Sequence, residues 1–137
     1  MYLLDTNVIS ELRKARSTKA DKNVMAWAES VPTASLFLSV ITILELETGV
    51  LAIERRDQKQ GKLLRSWLDA HVLPAFKDRV ITIDVKVAQQ CAKLHIPDPR
   101  SDRDALIAAT ALIHGMTVVT RNIKDFQYMG VELLNPW

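Results

Sequence analysis

Four acidic residues occupy positions where an α/β chain commonly builds a site. Asp5 directly follows the apolar run at 2–4, and Asp104 opens a nearly all-apolar helical segment. Glu45 lies among apolar neighbours early in another helical segment, and Asp125 follows the β-branched run TVVT at 117–120. Carboxylates that share a pocket raise each other's pKa unless a cation neutralises them, and oxygen-only ligands select Mg²⁺ or Mn²⁺ over zinc or copper. Acid clusters of this kind position metal ions for the attack of water on a phosphodiester.

Each acid also has an ordinary structural explanation. Asp5 suits the N-cap of the helix that follows it, and Ser101 with Asp104 has the spacing of a capping box. A glutamate on a helix such as Glu45 is most often a solvated surface residue, and Asp125 suits a turn. A buried acid can also be neutralised by an arginine instead of a cation. The residues taken one at a time leave both explanations open.

Alternating apolar runs and helical stripes predict the elements that must position these acids. Strands are predicted at 2–4, 35–40, 80–83 and 117–120, with an edge strand at 131–134; helices are predicted at 6–14, 24–31, 42–56, 63–72, 88–95 and 102–114. Pro32 and Pro74 are predicted to end the second and fourth helices, and Gly115 to cap the last.

Strands that are continuously apolar and alternate with helices indicate a parallel sheet covered on both faces. The prediction is a small three-layer α/β domain, with a central parallel sheet, that comprises residues 1–137. Sites in such folds form at the carboxyl ends of the strands, which is where Asp5 and Asp125 are expected to lie.

Composition excludes several classes of protein. The 137 residues are 48% apolar and 25% charged, which is the balance of a globular domain and not of a disordered chain. No apolar run approaches the roughly 18 residues of a membrane span, and the N-terminus shows no secretory signal. Cys91 is the single cysteine, so a disulfide framework and a Cys-rich zinc site are excluded. A reducing cytosol is the expected compartment.

Other chemistries lack their characteristic residues. The chain has neither a GxxxxGK[ST] loop for nucleotides nor a GxSxG motif, and its histidines (His71, His95, His114) are scattered. Cys91 and His95 share a predicted helix face, but two ligands do not make a structural zinc site. Asp5 has neither the second acid of a D-x-D phosphatase nor the adjacent acid of a phospho-accepting receiver domain.

Four sequence blocks together match a known family. They are LLDTNVISE at 3–11, LSVITILELETG at 38–49, DALIAATALIHGMTVVTRN at 104–122 and LNPW at 134–137. The chain resembles the PIN-domain proteins, specifically the VapC-type toxin ribonucleases of bacterial toxin–antitoxin pairs, near the FitB-like subgroup. The resemblance covers essentially the whole chain, and the combination of the first and third blocks is highly specific.

The resemblance assigns roles to the acids. Asp5, Glu45 and Asp104 match the family's first three site acids. Family members carry the fourth acid either at the position of Asn122 or a few residues later, so Asp125 is the candidate here. Asp5 and Asp104 are expected to be direct metal ligands, because their positions at a strand end and a helix start fix their directions best.

Polar neighbours are expected to support this site. Thr6 and Asn7 resemble the family residues that hold the first acid and a metal-bound water. Thr120 and Asn122 add polar atoms beyond the TVVT strand.

The resemblance also implies an activity and partners. It implies a Mg²⁺-dependent endoribonuclease, with Mn²⁺ as a possible substitute, that acts as the toxin of a type II pair. A homodimer or a higher toxin–antitoxin assembly is expected, with a VapB-like antitoxin whose C-terminal segment blocks the site. The alternative is a non-catalytic PIN-like module that binds metal or a partner; a degraded set of acids would favour it, and here every position is filled.

The charge distribution suits an RNA substrate. The formal net charge is +2, and it becomes +6 when the four site acids are set aside. A basic surround with an acidic, metal-binding pit suits a phosphate backbone. Basic stretches occur at 14–22 and 55–59, but runs of charge are usually solvated surface, so neither is assigned to RNA.

Overall fold

A five-stranded parallel sheet forms the centre of the protein. The structure is a computed structural model that describes residues 1–137, except for the side chain of Arg16. The strands are β1 (Tyr2–Leu4), β2 (Leu36–Ser39), β3 (Val80–Ile81), β4 (Thr117–Val119) and β5 (Leu133–Leu134). They lie in the order β3-β2-β1-β4-β5, and every neighbouring pair is parallel. The predicted parallel sheet and its edge strand near the C-terminus are confirmed.

Eight helices and three short helical segments connect the strands in the described part of the chain. The helices are α1 (Thr6–Leu12), α2 (Lys22–Ser30), α3 (Val40–Arg56), α4 (Gln58–Trp67), α5 (Leu73–Ala75), α6 (Val85–Leu94), α7 (Asp102–His114) and α8 (Ile123–Phe126). Turns of 3₁₀ helix cover Arg13–Arg16 and Thr33–Ser35, and a π-helical segment, Leu68–Val72, joins α4 to α5. Of the helices described, none combines the length and the apolar character needed to cross a membrane.

The two faces of the sheet are both covered by helices. In β1, Leu4 packs with Val8 of α1 on one face, whereas Leu3 packs with Ile107 of α7 on the other. Successive residues of a strand point to opposite faces, so a buried pair of adjacent leucines requires helices on both sides. This confirms the three-layer α/β prediction.

The central strands bring distant parts of the chain to one edge of the sheet. Leu4 of β1 lies opposite Val119 of β4, and the backbone N–H of Asp5 donates to the Val119 carbonyl at 2.9 Å. Asp5 and Thr120 therefore follow adjacent strands at their carboxyl ends, although 115 positions separate them in the chain.

Several element boundaries differ from the prediction. Pro74 does not end a helix; it lies in α5, directly after the π-helical segment. Helix α4 begins at Gln58, five residues before the predicted start, because Asp57 caps it by accepting from the Gln60 N–H at 3.1 Å. Asp125 lies in the short helix α8 and not in a simple turn. Gly115 ends α7 with φ of 65°, as predicted.

Helices α3 and α4 pack as a tight antiparallel pair. A Cβ atom built on Gly61 would lie 2.6 Å from the Cα of Glu54, so only glycine fits at this crossing. The Arg65 guanidinium joins the same helices through Glu54 at 3.0 Å and Glu47 at 2.6 Å. These contacts with α4 fix the position of α3, the helix that carries Glu45.

Candidate active site

A cavity of about 610 Å³ opens at the carboxyl ends of β1 and β4. It is lined by the four predicted acids, Asp5, Glu45, Asp104 and Asp125, and by Thr6, Asn7, Ser10, Glu11, Lys14, Ser101, Arg103, Arg121, Asn122 and Trp137. The structure thus brings together acids from four different parts of the chain. We call this cavity the carboxylate pocket.

Asp5 is the most buried acid of the pocket, with 6% of its surface exposed. Its Oδ1 accepts the backbone N–H of Thr6 at 2.8 Å, and its Oδ2 accepts the Thr120 hydroxyl at 2.8 Å. The cap and the pocket acid are therefore the same residue, since Asp5 occupies the N-cap of α1 while it lines the cavity.

Opposing effects act on the ionisation of Asp5. Burial is the largest effect and raises the pKa of its carboxyl, while the hydrogen bonds from Thr120 and Thr6 lower it. The charges of Glu45 and Asp125 add to the raised pKa. The net pKa lies above the ordinary value, because burial outweighs the hydrogen bonds that favour the ionised form.

Glu45 reaches the pocket from α3 and is held by Thr6. The Thr6 hydroxyl donates to Glu45 Oε1 at 2.8 Å, and the guanidinium of Arg103 lies 4.0 Å from Oε2. The Glu45 side chain is 25% exposed, so it faces the pocket instead of bulk solvent.

Asp104 lies in the first turn of α7 and carries the largest perturbation in the pocket. Burial is the main cause, and the charges of Asp5, Asp125 and Glu45 add to it, so that the pKa of Asp104 rises from 3.8 to about 6. The Ser101 side chain makes no capping hydrogen bond to α7, so the capping-box explanation of this acid is wrong. Crowding by three other carboxylates is the dominant feature of its surroundings after burial.

A network of neutral polar groups fixes the floor of the pocket. The Thr120 hydroxyl, while donating to Asp5, accepts the backbone N–H of Asn122 at 2.9 Å. The Asn7 amide lies 3.3 Å from the same hydroxyl, and its Oδ1 accepts the Arg121 N–H at 3.3 Å. The predicted supporting residues Thr6, Asn7, Thr120 and Asn122 all line the pocket and tie α1 to the end of β4.

The donor set fits a hard divalent cation that retains water. All four acids offer carboxylate oxygens, which Mg²⁺ and Mn²⁺ prefer. Among the described residues, no three His, Cys, Asp or Glu side chains are placed to bind one ion together. Magnesium commonly binds through one or two carboxylates and keeps several waters. An arrangement with two direct ligands is therefore compatible with the pocket.

The sequence reasoning missed several residues of the rim, among them Glu11, two arginines and a tryptophan. Arg103, Arg121 and Trp137 line the pocket, and the Arg121 guanidinium lies 5.5 Å from the centroid of the Trp137 ring. Arg103 stands next to Asp104 in the chain and Arg121 next to Thr120, so adjacency to the site residues was the available signal. The position of Trp137 follows from the path of β5 and had no local signal beyond the LNPW ending.

A second, apolar groove adjoins the carboxylate pocket. It has a volume of about 270 Å³, shares Thr6 and Glu45 with the pocket, and is lined by apolar side chains that include Leu46, Leu64 and Trp67. An extended apolar segment that occupied this groove would reach the acids.

Comparisons with known proteins agree with this geometry. The PIN domain family profile matches residues 2–131. The chain is 37% identical to the VapC ribonuclease Y4jK of Sinorhizobium fredii, over all of this chain and 98% of that protein. It is 36% identical to the toxin FitB of Neisseria gonorrhoeae, over all of this chain and 99% of that protein.

A solved structure shares the fold at the same level of similarity. The crystal structure of FitAcB from Neisseria gonorrhoeae superposes with a TM-score of 0.88 and 34% identity, covering all of this chain and 99% of that one. With the profile, the full-length relatives and the fold in agreement, the chain belongs to the PIN domain family and is a relative of the VapC-type ribonucleases and the toxin FitB.

Proposed function

We propose that the protein is a metal-dependent endoribonuclease that acts as the toxin of a type II toxin–antitoxin pair, as one PIN domain over residues 1–137. The observation that carries the proposal is the convergence of Asp5, Glu45, Asp104 and Asp125 on one pocket at the carboxyl ends of β1 and β4. The full-length similarity to proteins named VapC ribonuclease and toxin FitB supports the same reaction and the same biological role.

Asp5 and Asp104 are the residues that would hold Mg²⁺ directly, with Mn²⁺ as a substitute. The pKa of each carboxyl is raised, first by burial and then by the neighbouring carboxylates, and this supports the proposal because a bound cation would offset both effects. When bound, the ion would polarise the scissile phosphate and lower the pKa of a water.

The remaining acids orient the water that attacks the phosphorus. Glu45 is fixed by the Thr6 hydroxyl at 2.8 Å, and Asp125 faces Asp5 and Asp104 closely enough to raise the pKa of each. A carboxylate in either position accepts a hydrogen bond from the water and so directs its lone pair. The new P–O bond forms as the bond to the leaving ribose oxygen breaks.

The charge around the pocket favours an RNA backbone. Lys14 and Arg103 line the pocket beside the acids, so phosphates next to the scissile bond meet positive charge. Because RNA and its degradation are cytoplasmic in bacteria, the proposal places the protein in the cytoplasm, where Cys91 remains a thiol.

The proposal includes a VapB-like antitoxin and a homodimer. The apolar groove that shares Thr6 and Glu45 with the pocket suits an apolar segment of such a partner. A segment seated there would lie against Glu45 at the edge of the carboxylate pocket, where it would compete with RNA.

Cleavage of RNA by the purified chain tests the proposal. The wild type should cleave a labelled single-stranded RNA in Mg²⁺, and both EDTA and Asp5→Asn should abolish cleavage. A non-catalytic module would bind Mg²⁺ and leave the RNA intact. Cleavage that survives EDTA, or that survives both Asp5→Asn and Asp104→Asn, contradicts the mechanism.

A further inference from the structure

The last residue of the chain forms part of the wall of the carboxylate pocket. Pro136 is buried and the Trp137 ring is half-buried, packed against the core that contains Leu4 and Val8. The backbone N–H of Trp137 donates to Asn135 Oδ1 at 3.0 Å, and the side-chain amide of Asn23 donates to the backbone carbonyl of Trp137 at 3.4 Å. These contacts hold the ring in a defined position beside the acids.

Arg121 lies over this ring. Its guanidinium carbon is 5.5 Å from the ring centroid, within the roughly 6 Å range of a cation–π contact. Its backbone N–H donates to Asn7 Oδ1 at 3.3 Å, so the residue is anchored to the floor of the pocket at one end and to Trp137 at the other.

No carboxylate of the described residues pairs with Arg121. Of the other basic residues on the rim, Lys14 pairs with Glu11 at 3.2 Å and Arg103 lies 4.0 Å from Glu45. Arg121 forms no ion pair within 4.0 Å with any described carboxylate, although five acids line the same cavity. It is also exposed, so the side of its guanidinium away from the ring is open to a ligand.

We propose that Arg121, backed by the Trp137 ring, is a stacking platform for one base of single-stranded RNA next to the scissile phosphate. This inference rests on the proposed ribonuclease function. Unpaired RNA bases stack on aromatic rings and on guanidinium planes, and a guanidinium held by a ring is already oriented for that contact. The platform positions the substrate, whereas the carboxylates act on the phosphate.

Binding without cleavage tests the platform directly. The full-length protein in EDTA is titrated into two fluorescein-labelled ten-nucleotide strands, an oligo(A) RNA and a ribose-phosphate strand of the same length without bases, and anisotropy is measured. The wild type should bind oligo(A) more tightly than the abasic strand. Loss of one stacked base weakens binding by roughly tenfold.

Charge-preserving variants separate stacking from attraction to phosphate. Arg121→Lys should weaken oligo(A) binding by about tenfold and abasic binding by no more than about twofold. Trp137→Ala should act in the same way, and Trp137→Phe, which keeps a ring, should retain most of the affinity. Arg13→Lys is the matched control, because Arg13 lies over the Trp67 ring at 5.8 Å and does not line the carboxylate pocket; it should change neither affinity.

Three results overturn the platform. The first is equal affinity of the wild type for the two strands, and the second is an unchanged oligo(A) affinity in Arg121→Lys. The third is an equal loss of affinity for both strands in Arg121→Lys, which would make Arg121 a phosphate contact. If Trp137→Ala does not fold by circular dichroism, Trp137→Phe and Arg121→Lys decide the question. Cleavage of the same RNA in Mg²⁺ is measured in parallel. A protein that binds bases through Arg121 without cleaving refutes the ribonuclease and supports the platform, whereas cleavage with normal binding by Arg121→Lys refutes the platform alone.

Discussion

Replacing Asp104 with asparagine should stabilise the metal-free protein and abolish its activity. Asparagine keeps the shape of the side chain and removes its charge. Because the pKa of Asp104 is raised to about 6, mainly by burial and then by the neighbouring carboxylates, ionising it at neutral pH costs stability. The same charge is required to hold the metal, so stability and cleavage should move in opposite directions.

The size of the stabilisation follows from the pKa. A rise in pKa from 3.8 to about 6 corresponds to about 3 kcal/mol, and solvent access to the partly exposed side chain reduces this to about 1–2 kcal/mol. The folded state holds the proton more tightly than the unfolded state. The loss of folding stability caused by ionising Asp104 is therefore absent below pH 3.8, grows between pH 3.8 and 6, and is complete above pH 6.

Thermal unfolding in EDTA, followed by circular dichroism, measures this effect. Asp104→Asn should raise Tm by about 4–8 °C at pH 7.5, and the gain should shrink as the pH falls from 6 towards 4. Cleavage in Mg²⁺ should fall by at least about 100-fold. Asp102→Asn is the matched control, since Asp102 lies in the same first turn but its side chain is 90% exposed and contacts the His95 ring at 3.4 Å. An exposed pair of this kind contributes less than about 1 kcal/mol, so this variant should keep its cleavage and should not show the gain in Tm. An unchanged Tm together with persistent cleavage in Asp104→Asn would refute the reasoning.

Three further outcomes are expected. Thr120→Val removes the 2.8 Å hydrogen bond to Asp5, so the free energy of unfolding should fall by about 1–3 kcal/mol in a urea titration. The pKa of Asp5 should rise further, which moves cleavage to higher pH. Thr120→Ser should keep both the stability and the pH dependence of the wild type. Gly61→Ala places a Cβ 2.6 Å from the Cα of Glu54 and should cost about 1–3 kcal/mol, whereas Gly49→Ala, with no atom within 4 Å of the new Cβ, should gain up to about 1 kcal/mol in the same titration. Mg²⁺ should raise Tm more at pH 7.5 than at pH 5, because only ionised carboxylates bind it; equal shifts would argue against the carboxylate pocket as its site.

Asp5 and Asp104 occupy recognisable local positions, whereas Glu45 and Asp125 were assigned by the family resemblance. Asp5 ends an apolar run, and Asp104 begins the most apolar helix of the chain. In a parallel sheet the carboxyl ends of the strands meet at one edge, so strand order was not needed to expect a shared pocket. Their roles as metal ligands and as groups that orient water remain predictions.

The two explanations of Asp5 were not alternatives. A carboxylate has two oxygens, and in the structure one accepts the N–H of Thr6 as a helix cap while the other faces Thr120. For Asp104 the capping-box explanation was wrong, because the Ser101 side chain makes no capping hydrogen bond to α7.

The features that sequence reasoning missed depend on tertiary packing. Trp137 reaches the pocket only because β5 pairs with β4 and the chain then crosses the end of the sheet. Pro74 lies in α5, which continues directly from the π-helical segment before it. Neither arrangement leaves a periodic pattern in the sequence.

The order of the strands also fixes when the pocket can exist during synthesis. Tyr2 in the central strand pairs with Thr117, so the first strand to leave the ribosome gains its second neighbour only when most of the chain has been made. Asp104, Thr120 and Asp125 arrive in the same late stretch. At about 5–20 residues per second, the nascent chain spends on the order of ten seconds without an assembled pocket. A nuclease with this topology is therefore inactive while the ribosome is still synthesising it. A partner that inhibits it is needed only once the final elements have emerged.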